Sequence, residues 1–168
     1  MDLVHYIVQF RLSGETLFLL WHYGEPDGVL VNEHKQVVCF SSTGLLQQYA
    51  EAGNLHVNER VSDLYDLDYI GDWVHHPDVA TLQPTLFLDG WNLFDDIRAS
   101  TANGDVVAQS QPGEQALYEK LFAANTSVAE IVLGHVEPPR WSRRDMLLLA
   151  RVLREGLHTF ASSITLLQ

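Results

Sequence analysis

Leu3-Val-His-Tyr-Ile-Val-Gln-Phe10 and Thr16-Leu-Phe-Leu-Leu-Trp-His-Tyr23 are two runs rich in β-branched and aromatic residues, joined through Arg11-Leu-Ser-Gly-Glu15. That composition, broken by a Ser-Gly pair, reads as strand, turn, strand. Alternation puts Val4, Tyr6, Val8 and Phe10 on one face of the first strand, with Leu3, His5, Ile7 and Gln9 on the other. Both faces are largely apolar, so the strand is read as central in its sheet or covered by helices.

After the second run, Gly24-Glu-Pro-Asp-Gly28 is a turn cluster. Val29–Val31 is expected to pair with Gln36–Phe40 across the polar tetrad Asn32-Glu-His-Lys35, completing an antiparallel β-meander. Ser41-Ser-Thr43 then offers helix caps, Leu45, Leu46 and Tyr49 begin a helix, and Gly53 ends it. Leu55–Val57 is read as a short further strand. The remainder reads as helical. Val61–Val74 spaces Leu64, Leu67, Tyr69 (or Ile70) and Trp73 at helical intervals and stops before Pro77. From about Pro84 to Ser100, Phe87, Trp91 and Phe94 fall at i, i+4 and i+7, and Pro84 suits a first turn. Asn103–Gly113 is a polar loop expected to form a mobile connection, Glu114–Ala124 is a third helix, and Val128–Leu133 stays unassigned. In the closing helix Ser142 precedes Asp145 as an S-x-x-D cap, and Met146, Leu149, Leu153, Leu157 and Phe160 form one apolar stripe. The expected fold is a single α+β domain over residues 1–168, an N-terminal antiparallel β-meander packed against C-terminal helices.

At 168 residues the chain is of single-domain size, and 46% hydrophobic against 19% charged residues is a globular composition. The net charge of −12 opposes binding to nucleic acid or to an anionic membrane face. Residues 1–139 hold 20 acids and 5 bases, whereas residues 140–168 hold 2 acids and 5 bases. That division favours electrostatic steering toward a cationic partner. Arg140, Arg143, Arg144, Arg151 and Arg154 are read as neutralising the protein's own acids, with a dimer contact as the alternative. One cysteine, Cys39, excludes an internal disulfide framework and fits a reducing compartment. The first residues show no signal-peptide pattern, and no run approaches the roughly 20 apolar residues of a membrane span. A cytoplasmic protein is expected.

The functional signal lies in Glu59–Asp96, where nine Asp/Glu stand against one Arg, interleaved with Tyr65, Tyr69, Trp73, Phe87, Trp91 and Phe94. Trp73, Trp91 and Phe94 are read as core. The acids admit two readings, solvated helix backs or a surface for a basic protein, because one base cannot pair nine acids. On the helix reading Asp68 and Asp72 are i, i+4, as are Tyr65 and Tyr69, and Asp89 and Asp96 share a face two turns apart. The candidate contact residues are Tyr65, Asp66, Asp68, Tyr69, Asp72, Asp95 and Asp96, with aromatic anchors supplying area and carboxylates gripping Arg or Lys.

Catalytic readings find less support. No G-x-S-x-G, phosphate loop or dinucleotide fingerprint occurs. Nothing sets two carboxyls across a cleft for glycoside hydrolysis. His75-His76, with Asp72 and Asp78, is the one metal constellation, but adjacent helical residues point about 100° apart and there is no H-E-x-x-H. Cys39, within Val37-Val-Cys-Phe40, reads as a small buried hydrophobe. No cofactor is expected.

Five segments carry a family resemblance: Leu17-Phe-Leu-Leu-Trp-His-Tyr23, Gly28-Val-Leu-Val-Asn-Glu33, Val37-Val-Cys-Phe-Ser-Ser42, Leu64-Tyr-Asp-Leu-Asp-Tyr-Ile-Gly-Asp-Trp73 and Trp91-Asn-Leu-Phe-Asp-Asp-Ile97. Together they resemble small bacterial immunity proteins, the antidotes of polymorphic and contact-dependent growth inhibition toxins. The pattern spans roughly the first hundred residues and includes no catalytic motif. It implies stoichiometric binding to a cognate toxin domain, blocking its active site or a neighbouring surface. Many such toxins are nucleases with basic surfaces, which the acidic balance fits. On this reading, reversing the charge of Asp68 and Asp72 weakens binding while the fold survives. Two alternatives stand beside it: a small metal-dependent hydrolase using Asp72, His75, His76 and Asp78, and a regulatory adaptor for a basic partner that is not a toxin.

Overall fold

Ser13 and Gly14 turn the chain with φ of 54° and 78°, the left-handed pair that a two-residue hairpin needs if its strands are to keep their natural twist. In a computed structural model, describing residues 3–102, 111–125, 130, 134 and 137–168, this turn joins β1 (Val4–Leu12) to β2 (Glu15–His22), paired from Leu12↔Glu15 to His5↔His22. β3 (Gly28–Val29) and β4 (Val37–Phe40) both add to β2 antiparallel. The tetrad Asn32–Lys35 is the expected turn: the Asn32 amide donates to the Gln36 carbonyl and Val31 bridges Val37. The expected antiparallel N-terminal strands are present, with β4 placed beside β2 and tied to the segment before it by the Val31–Val37 bridge.

The sheet extends further than the meander, and here the structure corrects the sequence reading. Val61–Asp66 is not the start of a helix. It belongs to β5 (His56–Asp66), which runs parallel to β1 along one edge, and only Leu67–Trp73 is helical, as α2. At the other edge β6 (Ile164–Leu167), just past the apolar stripe of the closing helix, lies parallel to β4. Among the described residues the sheet is therefore mixed, ordered β5-β1-β2-β4-β6 with β3 beside β2. Neither parallel pairing has a local signature, since both depend on a distant partner strand.

α1 (Thr43–Ala52) starts where the Ser42 hydroxyl accepts the Leu45 amide and covers one face of the sheet, burying Leu46 against Ile7, Leu20, Val38 and Phe40. The other face carries the larger core. α2, α3 (Pro84–Thr101), α4 (Glu114–Ala124) and α5 (Arg143–Ser163) bury Phe87, Phe94, Ile97, Leu121, Leu149, Leu153 and Phe160 together with Val8, Phe10, Leu17 and Leu19. Both faces of β1 are thus covered, as its apolar pattern required. α5 begins with a complete capping box between Ser142 and Asp145. Gly156 lets α5 approach α3, since a Cβ there would lie 2.4 Å from the Phe94 ring. The stretch Asn103–Gly113, expected to be a mobile connection, lies outside the described residues but for its last three positions. So does most of Val128–Leu133. No described helix is long and apolar enough to cross a membrane.

Candidate functional site: an acidic, aromatic groove

β5 does not pair evenly with β1. Its register slips between Tyr6 and Ile7 and again between Ile7 and Gln9, so Tyr6 faces Asn58, Ile7 faces Val61 and Gln9 faces Leu64. The ladder is repaired locally by side chains: Ser62 Oγ accepts the Gln9 amide at 3.0 Å and Asn58 Oδ1 accepts that of Arg60 at 3.0 Å. Bulges bend a strand and re-aim its side chains. Here they accompany a groove of about 470 Å³ between β5, the β1–β2 face and α3.

The groove wall is aromatic on the sheet side and acidic on the helix side. Tyr6, Trp21 and Tyr65 come from the strands, and Asp89, Asn92 and Asp96 from α3. Tyr6 and Trp21 lie side by side across the hairpin, ring centroids 5.8 Å apart, and Tyr23 extends the row at 6.1 Å from Trp21. Asp89 and Asp96 do share a helix face, as their spacing of seven indicated. A second hollow of about 310 Å³ adjoins the first, with Tyr65 and Asp89 common to both.

α3 is fixed over the sheet by polar ties at its C-terminal half. The Trp21 indole N–H donates to Asp96 Oδ2 at 2.8 Å. Ser100 Oγ accepts the Val29 amide at 3.0 Å and itself donates to the Asp96 carbonyl at 2.7 Å. Asp89 differs: among the described residues its half-buried carboxylate has neither a hydrogen bond nor an ion pair. Burial raises its pKa, and the nearby Asp63 raises it further. Asp96 is also shifted up by burial, against the Trp21 hydrogen bond, with Asp27 and Asp95 adding to the rise. The Tyr65 hydroxyl is pushed up to about 12, first by burial and then by Asp89, Asp96 and Asp63. All these shifts express one condition, a surplus of negative charge in a partly dehydrated hollow.

The seven residues singled out from sequence divide by what they touch. Tyr65 and Asp96 line the groove. Asp66 accepts the Tyr69 amide at the start of α2 and pairs with Arg11 at 3.2 Å. Asp68 accepts the Ser13 and Gly14 amides at 2.7 and 2.8 Å, holding the hairpin turn. Tyr69 donates to the Thr81 carbonyl at 2.7 Å and packs on the core. Asp95 accepts from the Trp91 indole and pairs with Arg98 at 2.8 Å. Asp72 is exposed on α2. Tyr65 and Tyr69 do not share a helix face, because Tyr65 stands on β5. Bases from outside and just past the acidic stretch, Arg11 and Arg98, answer two of its acids. Sequence reasoning placed Tyr6, Trp21 and Asp89 in no site. Asp89 carried a signal all the same, as an acid inside the otherwise apolar run Leu86-Phe-Leu-Asp-Gly-Trp91.

Trp73, Trp91 and Phe94 are buried, as read. Cys39 is fully buried and burial pushes its thiol up to about 12, so it is not poised as a nucleophile. His75 and His76 are exposed just beyond α2, while Asp78 caps a short 3-10 turn through the Ala80 amide. Among the described residues no group of three or more His, Cys, Asp or Glu converges to hold a metal ion. Arg151 pairs with Glu114 at 3.7 Å and Arg154 donates to the Val74 carbonyl at 2.7 Å, so two of the five arginines of the C-terminal run are used inside the molecule.

No family model and no curated protein matches the chain. Among solved structures it is similar to the SatS C-terminal domain, whose crystal structure is in complex with bromine. The identity is 15% and the TM-score 0.48, over 97% of this chain and 94% of that one.

Proposed function

We propose that the protein is a cytoplasmic immunity protein that binds a basic toxin domain, of the nuclease class, and neutralises it by occupying its cationic surface. The observation that carries this reading is the groove between α3 and the β1–β2 face, where partly dehydrated Asp89 and Asp96 face Tyr6, Trp21 and Tyr65. Aromatic rings beside carboxylates give a contact surface with both area and charge, and a net charge of −12 steers a cationic partner toward it. The resemblance of the first hundred residues to immunity proteins supports the same reading.

The test begins with capture of the tagged protein from its native host and mass spectrometry of what co-purifies. The expected result is a basic toxin fragment at one-to-one stoichiometry, whose activity on its substrate is abolished by adding the protein back. Binding should weaken with salt. Inhibition that survives replacing both Asp89 and Asp96 with lysine removes the groove from the reading. A stoichiometric basic partner without toxic activity replaces the immunity role by that of an adaptor, and the absence of any basic partner overturns both.

A further inference from the structure

We infer that the groove is a receptor for a single arginine side chain, paired with the Asp89 carboxylate and lying against the rings of Tyr6, Trp21 and Tyr65, with Asp96 two turns along the same wall. This deepens the reading above and rests on it only for the source of the arginine, which would be the basic partner. Three features of the groove point to that occupant.

The first is Asp89 itself. A half-buried carboxylate with no partner within the described residues is a cost that folding has already met, so a cation arriving there gains an ion pair with less desolvation than a fully hydrated acid would require. The second is the division of Asp96. One of its oxygens takes the Trp21 indole at 2.8 Å, which fixes the carboxylate and leaves the other oxygen to accept from a ligand. The third is the aromatic wall. Tyr6 remains 38% exposed in the free protein, and its ring stands 5.8 Å from that of Trp21.

A planar guanidinium can stack on such rings while its N–H groups reach carboxylates at its edge. An ammonium, a compact and strongly hydrated point charge, does this less well. The Tyr65 hydroxyl, held neutral well above physiological pH, adds a polar atom beside Asp89 without competing as an anion. Arg60 lies at the rim of the groove but makes no ion pair with either acid. At about 470 Å³ the space is of the size that encloses small ligands, so a side chain and its flanking backbone can enter.

The four tryptophans supply built-in reporters. In a ¹H–¹⁵N spectrum of the labelled full chain, N-acetyl-arginine amide should move the Trp21 indole signal saturably. The indole signals of Trp73 and Trp91, which donate to the Asp78 carbonyl and to Asp95, should stay in place. N-acetyl-norleucine amide should shift nothing, and N-acetyl-lysine amide should bind more weakly than the arginine probe. Asp89→Asn should weaken arginine binding about tenfold, the loss of one charge-assisted contact. Glu51→Gln, on α1 behind the sheet, should leave it unchanged.

Among the described residues Asp89 has no internal partner, so Asp89→Asn should fold and melt no lower than the wild type, which separates lost binding from lost structure. Arginine and norleucine probes that behave alike, or undiminished arginine binding in Asp89→Asn, overturn the inference. Its failure is distinguishable from that of the immunity reading. Saturable arginine binding with no toxin co-purifying keeps the receptor and removes the role. A neutralised toxin with a silent Trp21 signal keeps the role and removes the receptor.

Discussion

Replacing Asp68 with alanine takes away both acceptors of the β1–β2 turn. In the folded chain its two oxygens receive the Ser13 and Gly14 amides at 2.7 and 2.8 Å, and both residues sit at positive φ. Ser13 tolerates that conformation poorly, so the turn depends on outside support. A carboxylate accepting an end-of-element amide at an exposed position contributes about 1 kcal/mol, as at a helix N-cap. Two such contacts at a solvent-exposed turn give about 1.5 kcal/mol after allowance for water taking over part of the bonding. For a chain of this size that lowers Tm by about 3–6 °C. Asp72, one turn along α2 and exposed, anchors nothing among the described residues, and Asp72→Ala should change stability by less than about 0.5 kcal/mol. Urea melts followed by far-UV circular dichroism, with Asp68→Asn as an intermediate that keeps one acceptor oxygen, measure the series. Equal midpoints for Asp68→Ala and wild type refute the assignment, as does an equal loss in Asp72→Ala. The result governs how binding experiments are read. Charge reversal at Asp68 loosens the hairpin that carries Trp21, so a loss of partner affinity there is not evidence of contact.

Two further outcomes follow from the packing. Gly156→Ala places a methyl 2.4 to 2.9 Å from the ring and Cβ atoms of Phe94, where the near-backbone atom cannot swing aside, so it should cost about 1–3 kcal/mol, read as a lower urea midpoint. His5 is 4% exposed and its pKa is held below 6.5 by burial, against a hydrogen bond to the His56 backbone and with the neighbouring His22 lowering it further. The unfolded chain therefore binds a proton that the folded chain resists, and stability should fall as pH drops below about 6.5. A His5→Gln variant should lose part of that dependence between pH 7.5 and 5.5, and an unaltered slope removes His5 as its source.

Local chemistry made much of the fold legible. Ser42 and Ser142 cap their helices as their spacing indicated, Pro84 opens α3, and the alternation in Leu3–Phe10 announced a strand covered on both faces. Each of these signals acts within a few residues, so the sequence contains it whole. Val61–Asp66 is a strand although its spacing also suits a helix, and Ile164–Leu167 is a strand that no local pattern announces. What makes them strands is hydrogen bonding to β1 and β4, more than fifty residues away in each case.

The acidic, aromatic character of Glu59–Asp96 was equally plain from composition, and so was the burial of Trp73, Trp91 and Phe94. Which acids remain free was not. Arg11 reaches Asp66, Ser13 and Gly14 reach Asp68, Arg98 reaches Asp95 and Trp21 reaches Asp96, while Asp89 is left facing the groove. Charge content is a property of the chain. The partner each charge finds, and the water it loses, depend on which distant strands and helices the fold brings against it.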